Sequence, residues 1–224
     1  MQYDAVLFDF DGVLVENPSR GRIYAALERT YAKLGHVGPV SETVQEVLRG
    51  DFDSIASRCR TLGIDADDFC SRVGQELART QIAAVERGLR SVYDDVVAVT
   101  SLERPLGIVS DNHPKVVSTV VDRLGLDSLF EVRYGCPLTP DGLDRRKPDP
   151  RNIEDAMDSL EAGSALYVGD RDVDVTAAHN AGIDAALLSR EVADEPDTVA
   201  TSTDSSPEPT YRITSLSQLP SVLE

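Results

Sequence analysis

The chain has 224 residues, of which 39 are acidic and 22 are basic, so its formal net charge at neutral pH is −17. This length accommodates one large α/β domain, or a domain of roughly 150 residues with a smaller companion. An acidic surface offers no counter-charge to nucleic acid or to an anionic membrane, so we expect neither as a partner. The hydrophobic fraction of 41% can supply a sizeable core.

No apolar run approaches the ~20 residues that are needed to span a bilayer, and the N-terminus lacks the features of a signal peptide. We therefore expect a cytoplasmic protein, present as a monomer or a homodimer. Its three cysteines, Cys59, Cys70 and Cys136, are odd in number and form no CxxC pair. This pattern disfavours a disulfide framework or a zinc site and indicates reduced, mostly buried thiols.

The charged residues are dominated by one basic and one acidic type. Three lysines stand against nineteen arginines, and 25 of the 39 acids are Asp. A surface rich in Asp and poor in Lys is similar to those of proteins from salt-accumulating organisms, where high ionic strength screens the self-repulsion. The composition therefore predicts a halophilic protein, but it does not bear on the reaction.

The first predicted element is a buried strand that ends in two carboxylates. Residues 5 to 8 form an apolar run, and Asp9, Phe10, Asp11 and Gly12 follow it directly. Like charges this close repel, and desolvation penalises both, so the arrangement costs stability unless it has a partner. We infer that this strand end binds a cation or carries out chemistry.

Residues 16–88 are expected to form a block of several helices. Apolar positions recur at helical spacing near Ile23 and Tyr31, near Val44 and Val47, and between Phe69 and Leu77. The block is inserted immediately after the first strand. We therefore expect it to lie over the end of that strand as a separate cap, with residues 1–15 and 89–224 forming the core.

From about residue 89 onward, apolar runs alternate with helices. Helices are predicted at 93–103, 114–124, 152–160 and before Gly182, and apolar runs at 105–110, 130–135, 165–169 and 185–189. This alternation indicates a parallel sheet covered on both faces, whose ligand crevice lies at the carboxyl ends of its strands. The stretch from Arg190 to Thr210 is predicted to be a mobile surface loop, followed by a strand and a closing helix.

Polar groups follow three of these apolar runs, and a lysine lies in a nearby loop. The motifs are "DFDGV", "GIVSDN", "KPDP" and "GDRDVDVTAAHNAG". Their order and spacing resemble those of the haloacid dehalogenase superfamily of phosphohydrolases, over almost the whole chain. The likeness is to the phosphoglycolate phosphatase branch with a helical cap, and it implies a Rossmann-like, three-layer α/β core with an inserted α-helical cap domain.

The chemistry of phosphate esters assigns a role to each group. Asp9 can attack phosphorus to form an aspartyl phosphate, and Asp11 can donate a proton to the leaving group and later accept one from water. Lys147 and Ser110 can contact the phosphoryl group as catalytic and phosphate-binding residues. Asp111 departs from the family's usual pattern and is also predicted at the phosphate. The metal, expected to be Mg²⁺, is assigned to Asp9, the Asp11 backbone carbonyl, Asp170 and Asp174.

Other polar residues near these motifs are assigned weaker roles. Asp172 is expected to be solvated, with a smaller chance of contacting the metal. Arg20 and Arg22 could bind a substrate anion, although surface charge balance is the simpler explanation. Arg146 and Asp149 are expected to shape the loop of Lys147. His36, His113 and His179 show no ligand spacing and are expected to be structural.

Four functions are weighed, and two of them are disfavoured. The favoured one is an Mg²⁺-dependent phosphomonoesterase that acts on a small phosphorylated metabolite. A sugar phosphomutase would use the same residues and cap. A non-catalytic acidic binding module is disfavoured by the complete set of polar residues, and a dehalogenase is disfavoured by Asp11, because family members that cleave carbon–halogen bonds lack this second Asp.

Overall fold

The computed structural model describes residues 3–190 and 207–224. Within them lies one six-stranded parallel sheet, in the order β3-β2-β1-β4-β5-β6. Its strands are β1 (Ala5–Phe8), β2 (Leu106–Val109), β3 (Val132–Tyr134), β4 (Ala165–Gly169), β5 (Asp184–Leu188) and β6 (Tyr211–Ile213). The predicted parallel sheet is confirmed, and β1 lies at its centre.

The sheet is buried on both faces because each side of β1 has its own hydrophobic cluster. Val6 and Phe8 point into one cluster, whereas Ala5 and Leu7 point into the other. Side chains alternate in this way because successive residues of a strand face opposite sides of the sheet. Helices cover both faces, so the predicted three-layer α/β core is confirmed.

Nine α-helices are present in residues 3–190 and 207–224. Those that cover the sheet are α5 (Pro114–Arg123), α7 (Arg151–Ser159), α8 (Asp172–Asn180) and α9 (Leu219–Val222), whereas the short α6 (Pro140–Asp144) packs against the inserted helices through Leu143. The predicted helix at 93–103 is instead a 3₁₀ helix over Asp94–Ser101. Its Val96 and Val99 pack on the same face of the sheet as α5.

The first four helices form the inserted block: α1 (Arg20–Lys33), α2 (Val40–Arg49), α3 (Phe52–Leu62) and α4 (Ala66–Glu86). They bury a third hydrophobic cluster around Leu27, Tyr31 and Phe69. Leu138 and Leu143, which come from the loop and helix after β3, also belong to this cluster. The block therefore has its own core and also packs against the sheet domain. The assignment of residues 16–88 as a separate domain stays a prediction.

Two features of the C-terminal region were predicted from sequence. The mobile loop expected from about Arg190 to Thr210 lies mainly outside the described residues, and Arg190 at its start belongs to no helix or strand but is held in place. The Arg190 guanidinium pairs with Asp95 at 2.9 Å and donates to the carbonyls of Gly12 and Val13. The expected strand and closing helix after the loop correspond to β6 and α9.

The three cysteines are free and buried, as expected from their number and spacing. Burial raises the pKa of the Cys70 thiol to about 12 and that of Cys136 to about 11. Both thiols therefore stay protonated at neutral pH, which makes them poor nucleophiles. Among the described residues, no helix combines the length and the apolar character that crossing a bilayer requires.

Candidate active site

Three of the predicted site residues follow three neighbouring strands. Asp9 follows β1, Ser110 follows β2 and Asp170 follows β4, and β1 lies between the other two in the sheet. Since all strands are parallel, these residues share the carboxyl edge of the sheet. The strand order also reverses here, because the chain moves from β1 to β2 on one side and later to β4 on the other.

The centre of this edge is a buried cluster of charges around Lys147. Its Nζ lies 2.9 Å from Asp9 Oδ1 and 2.6 Å from Asp174 Oδ1, and all three side chains are nearly inaccessible to solvent. Lys147 Nζ also donates to the hydroxyl of Tyr167 at 3.0 Å, and that hydroxyl donates to the Val109 carbonyl at 2.7 Å. The lysine is therefore fixed from three sides by two carboxylates and a buried tyrosine.

Burial perturbs the ionisation of these groups in opposite directions. It raises the pKa of Asp9 to about 7, an effect that Lys147 opposes and the neighbouring charge of Asp174 reinforces. Burial also disfavours the charge on Lys147, but Asp174 and Asp9 together hold its pKa well above the ordinary value. Lys147 therefore remains a cation, and it counters the repulsion between the two carboxylates.

Asp9, Asp170 and Asp174 bring their carboxylate oxygens within 4.8 Å of one another. Asp170 Oδ1 is buried and accepts no hydrogen bond. Burial raises the pKa of Asp170 to about 6, and the charge of Asp174 adds to the effect. A set of oxygen donors with an unsatisfied buried atom suits a hard divalent cation, so these residues fit Mg²⁺.

Gly12 allows this cluster to form close to the first motif. Its φ is +80°, in the left-handed region that side chains disfavour, and a Cβ there would clash with the Asp170 carboxylate. Glycine avoids both the backbone strain and the clash. The "DFDG" motif therefore ends in Gly because Asp170 lies against the main chain at that point.

The Asp11 carboxylate does not belong to the group formed by the other three carboxylates of the predicted metal set. Its Oδ1 accepts a hydrogen bond from Arg90, and its Oδ2 accepts one from Asn112 Nδ2 at 2.7 Å. The side chain is therefore not among the clustered metal donors. This position is compatible with the sequence prediction, which assigned only the Asp11 backbone carbonyl to the metal.

Ser110 and Asp111 occupy different positions after β2. The buried Ser110 hydroxyl accepts a hydrogen bond from the backbone N–H of Asn112 at 3.1 Å. The hydroxyl proton of Ser110 can therefore be donated to a ligand. Asp111 Oδ1 accepts the backbone N–H of Lys147 at 3.0 Å, and its Oδ2 lies 3.5 Å from Arg171. The Asp111 carboxylate thus ties the lysine loop to the end of β2.

A cavity of about 240 Å³ opens above these residues, between the sheet edge and the helical block. The block lines it with Ile23, Val47, Leu48, Gly74, Leu77 and Gln81. The sheet domain contributes polar residues, including Ser110, Asn112, His113, Arg146 and Arg171. The inserted helices therefore cover the strand ends, as their position in the sequence predicted.

The polar residues to which the sequence assigned weaker roles lie at different distances from the site. Asp172 is exposed and lies outside the carboxylate cluster. Arg20 and Arg22 are absent from the lining of the large cavity, and Arg22 instead borders a small separate pocket. His113 has a structural role in that its Nδ1 accepts the Lys115 amide at the start of α5, but its side chain also reaches the cavity.

Three residues at the site carried no sequence signal. Arg171 lies within 4 Å of four carboxylates, those of Asp9, Asp111, Asp170 and Asp174. Tyr167 looks like an ordinary core residue of β4, and Arg90 lies in a loop with no motif. Arg146 was expected to shape its own loop, and it does donate to the Val47 carbonyl at 2.9 Å, yet it also faces the cavity.

Asp9, Lys147, Asp170 and Asp174 thus meet at the carboxyl edge of one parallel α/β sheet. Residues 3–182 match the family model described as haloacid dehalogenase-like hydrolase, so the chain belongs to that family. The resemblance inferred from the four motifs is confirmed.

Individual relatives are more distant. A phosphoglycolate phosphatase from Rhodobacter capsulatus is 26% identical over 80% of this chain and 81% of its own length. Among solved structures, CbbY from Rhodobacter sphaeroides in complex with phosphate has a TM-score of 0.66 at 18% identity, covering 97% and 96% of the two chains. A 2-haloacid dehalogenase from Pseudomonas syringae has a TM-score of 0.63 at 22% identity, covering 98% and 97%. The fold is thus shared by different chemistries.

Proposed function

We propose that this hydrolase is an Mg²⁺-dependent phosphomonoesterase that acts on a small phosphorylated metabolite through an aspartyl-phosphate intermediate. One observation carries the proposal: Asp9, Asp174 and Lys147 form a buried cluster that borders a cavity of small-molecule size. The identity of the relatives as phosphoglycolate phosphatases supports the same reaction class.

Asp9 is the proposed nucleophile. Its backbone N–H donates to the Val168 carbonyl at 2.8 Å, and its Oδ1 accepts the Phe10 N–H at 2.8 Å, so the carboxylate has a fixed direction. Attack of an Asp9 oxygen on phosphorus forms the acyl phosphate and breaks the bond to the leaving oxygen. Lys147 stays beside Asp9 and offers its positive charge to the transferring group.

Asp11 is the proposed general acid and base. It donates a proton to the leaving oxygen, and as a carboxylate it then takes a proton from the water that hydrolyses the acyl phosphate. The presence of Asp11 also favours phosphate-ester chemistry over dehalogenation, because family members that cleave carbon–halogen bonds lack this second Asp. Ser110 and the first turn of α5 supply hydrogen-bond donors for the phosphoryl oxygens.

Asp9, Asp170 and Asp174 are the proposed Mg²⁺ ligands, together with the Asp11 backbone carbonyl. When bound, the ion supplies positive charge that favours ionised carboxylates and screens the phosphate. Asp111, which the sequence placed at the phosphate, is better assigned to holding the lysine loop, because a carboxylate accepts hydrogen bonds and repels phosphate.

The substrate is proposed to carry a further anionic or polar group that faces Arg146 or Arg171. Both arginines line the cavity of an otherwise acidic protein, and the covering helices add apolar surface. The expected high-salt requirement, the cytoplasmic location and the monomeric or dimeric state stay predictions.

The decisive experiment is a phosphatase screen with Mg²⁺ over 2-phosphoglycolate, sugar phosphates and nucleotides, at low and high KCl. We expect release of inorganic phosphate that Asp9→Asn abolishes, because an amide cannot readily attack phosphorus. Asp11→Asn should lower turnover on the order of 10²-fold or more. Asp4→Asn, an exposed change at the opposite end of β1, is the matched control.

The same screen separates the rival functions. Isomerisation of a sugar phosphate without net phosphate release would assign the chain as a phosphomutase. If Asp9→Asn turned over substrate at the wild-type rate, the assignment of Asp9 as the nucleophile would be wrong. Absence of any turnover together with tight binding of a phosphorylated compound would indicate a non-catalytic binding protein.

A further inference from the structure

Arg90 is a buried arginine with no role in the chemistry assigned so far. It lies in the second connection between the helical block and the sheet, and its side chain is 2% exposed. Burying a guanidinium is costly unless its donors are satisfied. The partners of Arg90 therefore indicate what the residue is for.

Those partners converge on Asp11. Arg90 Nη2 donates to Asp11 Oδ1, and Asn112 Nδ2 donates to Asp11 Oδ2 at 2.7 Å. Both oxygens of the proposed general acid are thus held, one by a charged group and one by an amide. Two hydrogen bonds on different oxygens fix both the position and the rotation of a carboxylate.

The same network extends into the helical block through Gln81 of α4. Gln81 Oε1 accepts from Arg90 Nη1 at 2.9 Å and from Asn112 Nδ2 at 2.8 Å, and Gln81 Nε2 donates to Asn112 Oδ1 at 3.1 Å. Both residues that hold Asp11 are therefore held in turn by one side chain of the covering block.

Arg90 also joins the two connections of the block to the sheet domain. Its Nε donates to the Glu16 carbonyl at 2.6 Å, and Glu16 N–H donates to the Ser91 carbonyl at 3.0 Å. Val15 and Val92 form an antiparallel bridge beside them. A change in the angle between the block and the sheet domain would therefore be transmitted to the guanidinium.

We propose that Arg90 is the positioning residue for Asp11, and that through Gln81 it links the placement of this proton donor to the covering helices. The proposal rests on the proposed function. Arginine suits the task because its planar group directs several donors at fixed angles, here to Glu16, Gln81 and Asp11. Misplacement of a reacting group by about 1 Å can lower the rate on the order of 10²-fold.

The test uses two substrates that differ in their need for a proton. An alkyl phosphate releases an alkoxide that must be protonated, whereas p-nitrophenyl phosphate releases a stable anion that needs no proton donor. The ratio of kcat/KM for 2-phosphoglycolate, or the best alkyl phosphate of the screen, to that for p-nitrophenyl phosphate reports on proton donation by Asp11. It is measured with Mg²⁺ in the full-length wild type, Arg90→Met, Gln81→Met and Asp11→Asn.

We expect Arg90→Met to lower this ratio on the order of 10²-fold, toward that of Asp11→Asn. Gln81→Met should lower it less, because both bonds to Asp11 remain. The matched control is Arg104→Met, which removes a partly buried arginine that donates to the Tyr3 carbonyl near the start of β1. This control should leave the ratio unchanged.

Equal losses on both substrates in Arg90→Met would overturn the proposal and assign Arg90 a purely structural role. If that variant fails to fold, Gln81→Met decides: a selective loss on the alkyl phosphate supports the proposal, and equal losses or none refute it. Failure of the proposed function is distinguishable, because it would appear in the wild type and in Asp9→Asn.

Discussion

The two sides of the cavity are built on different principles. The sheet edge presents charged groups that are buried and fixed by short contacts, such as Lys147 between Asp9 and Asp174. The described residues with which the helical block lines the cavity are apolar apart from Asn17 and Gln81. Charged groups on the sheet side suit chemistry at a phosphoryl group, and an apolar cover suits the exclusion of water.

The same contrast holds for the ion pairs of the two regions. Lys147 and its partners are at most 3% exposed, whereas Arg29 and Lys33 of α1 are half exposed where they pair with Glu76 of α4. A buried charge that loses its partner cannot be solvated, whereas an exposed one can. Removing a lysine should therefore lower the free energy of unfolding by different amounts in the two regions.

The largest expected effect follows from removing each lysine in turn. Lys147→Met should abolish turnover and lower the free energy of unfolding by about 3–5 kcal/mol, because two carboxylates stay buried without their cation. Lys33→Met should cost at most about 1 kcal/mol and leave turnover intact. Urea unfolding without added metal, together with the phosphatase assay, measures both. Equal losses of stability would contradict the contrast between the regions.

Mg²⁺ binding should increase the difference between the two regions, because it should stabilise the sheet edge and not the helical block. At a free Mg²⁺ concentration of 100 times Kd, binding should stabilise the wild type by about 2.7 kcal/mol. Asp170→Asn should lose this gain, because it removes the carboxylate with the unsatisfied buried oxygen. Asp172→Asn, two residues further on at the start of α8 and outside the cluster, should retain it. Calorimetric unfolding with and without chelator provides the measurement, and a full gain in Asp170→Asn would contradict the assigned ligands.

A smaller effect is expected where the two regions meet, at Arg146. Burial lowers the pKa of this arginine, and its Nε is buried without a hydrogen-bond partner, so an anionic substrate group there would be favoured. Arg146→Met should lower kcat/KM for the preferred anionic substrate about tenfold relative to p-nitrophenyl phosphate, equivalent to one charged hydrogen bond. Arg22→Met, which changes an arginine outside the cavity lining, is the control. Equal effects on both substrates would exclude Arg146 from substrate recognition.

The smallest expected effect concerns stability at acid pH. Hydrogen bonds from Lys33 and Arg29 lower the pKa of Glu76 in the block against the opposing effect of burial. In the sheet domain, burial raises the pKa of Asp95, but hydrogen bonds from Arg190, Leu216 and Ser215 outweigh this effect. The pKa of Asp95 therefore lies below its ordinary value.

Both carboxylates therefore stabilise the fold fully above their unfolded pKa values, about 4.3 for Glu and 3.9 for Asp, and this contribution is lost as the pH falls through the folded values. Glu76→Gln and Asp95→Asn should each flatten the decline of unfolding free energy below about pH 5. Since the partners of Glu76 are exposed, its effect should stay below about 1 kcal/mol. An unchanged pH profile in both variants would contradict these assignments.

The sequence predicted the sheet and its chemistry because those signals are local. A buried parallel strand is a short apolar run, and Asp9, Ser110 and Asp170 stand directly after such runs. Since parallel strands bring their carboxyl ends to one edge, adjacency in space followed from position along the chain. The helical block was recognised from its periodicity for the same reason.

The partners that hold these residues were decided by the tertiary structure alone. Arg90 and Asp11 are 79 positions apart, and Tyr167 and Lys147 are 20 apart, with no periodicity that relates either pair. Arg20 and Arg22 were the arginines that the sequence offered for a substrate anion, with surface charge balance as the simpler explanation, and it is Arg146 and Arg171 that line the cavity. The sequence by itself therefore determined the candidate reactive groups and the sheet edge at which they meet. Only the packing of the helical block against that edge decided what holds them, because the direction and burial of a long polar side chain depend on contacts that have no local signature.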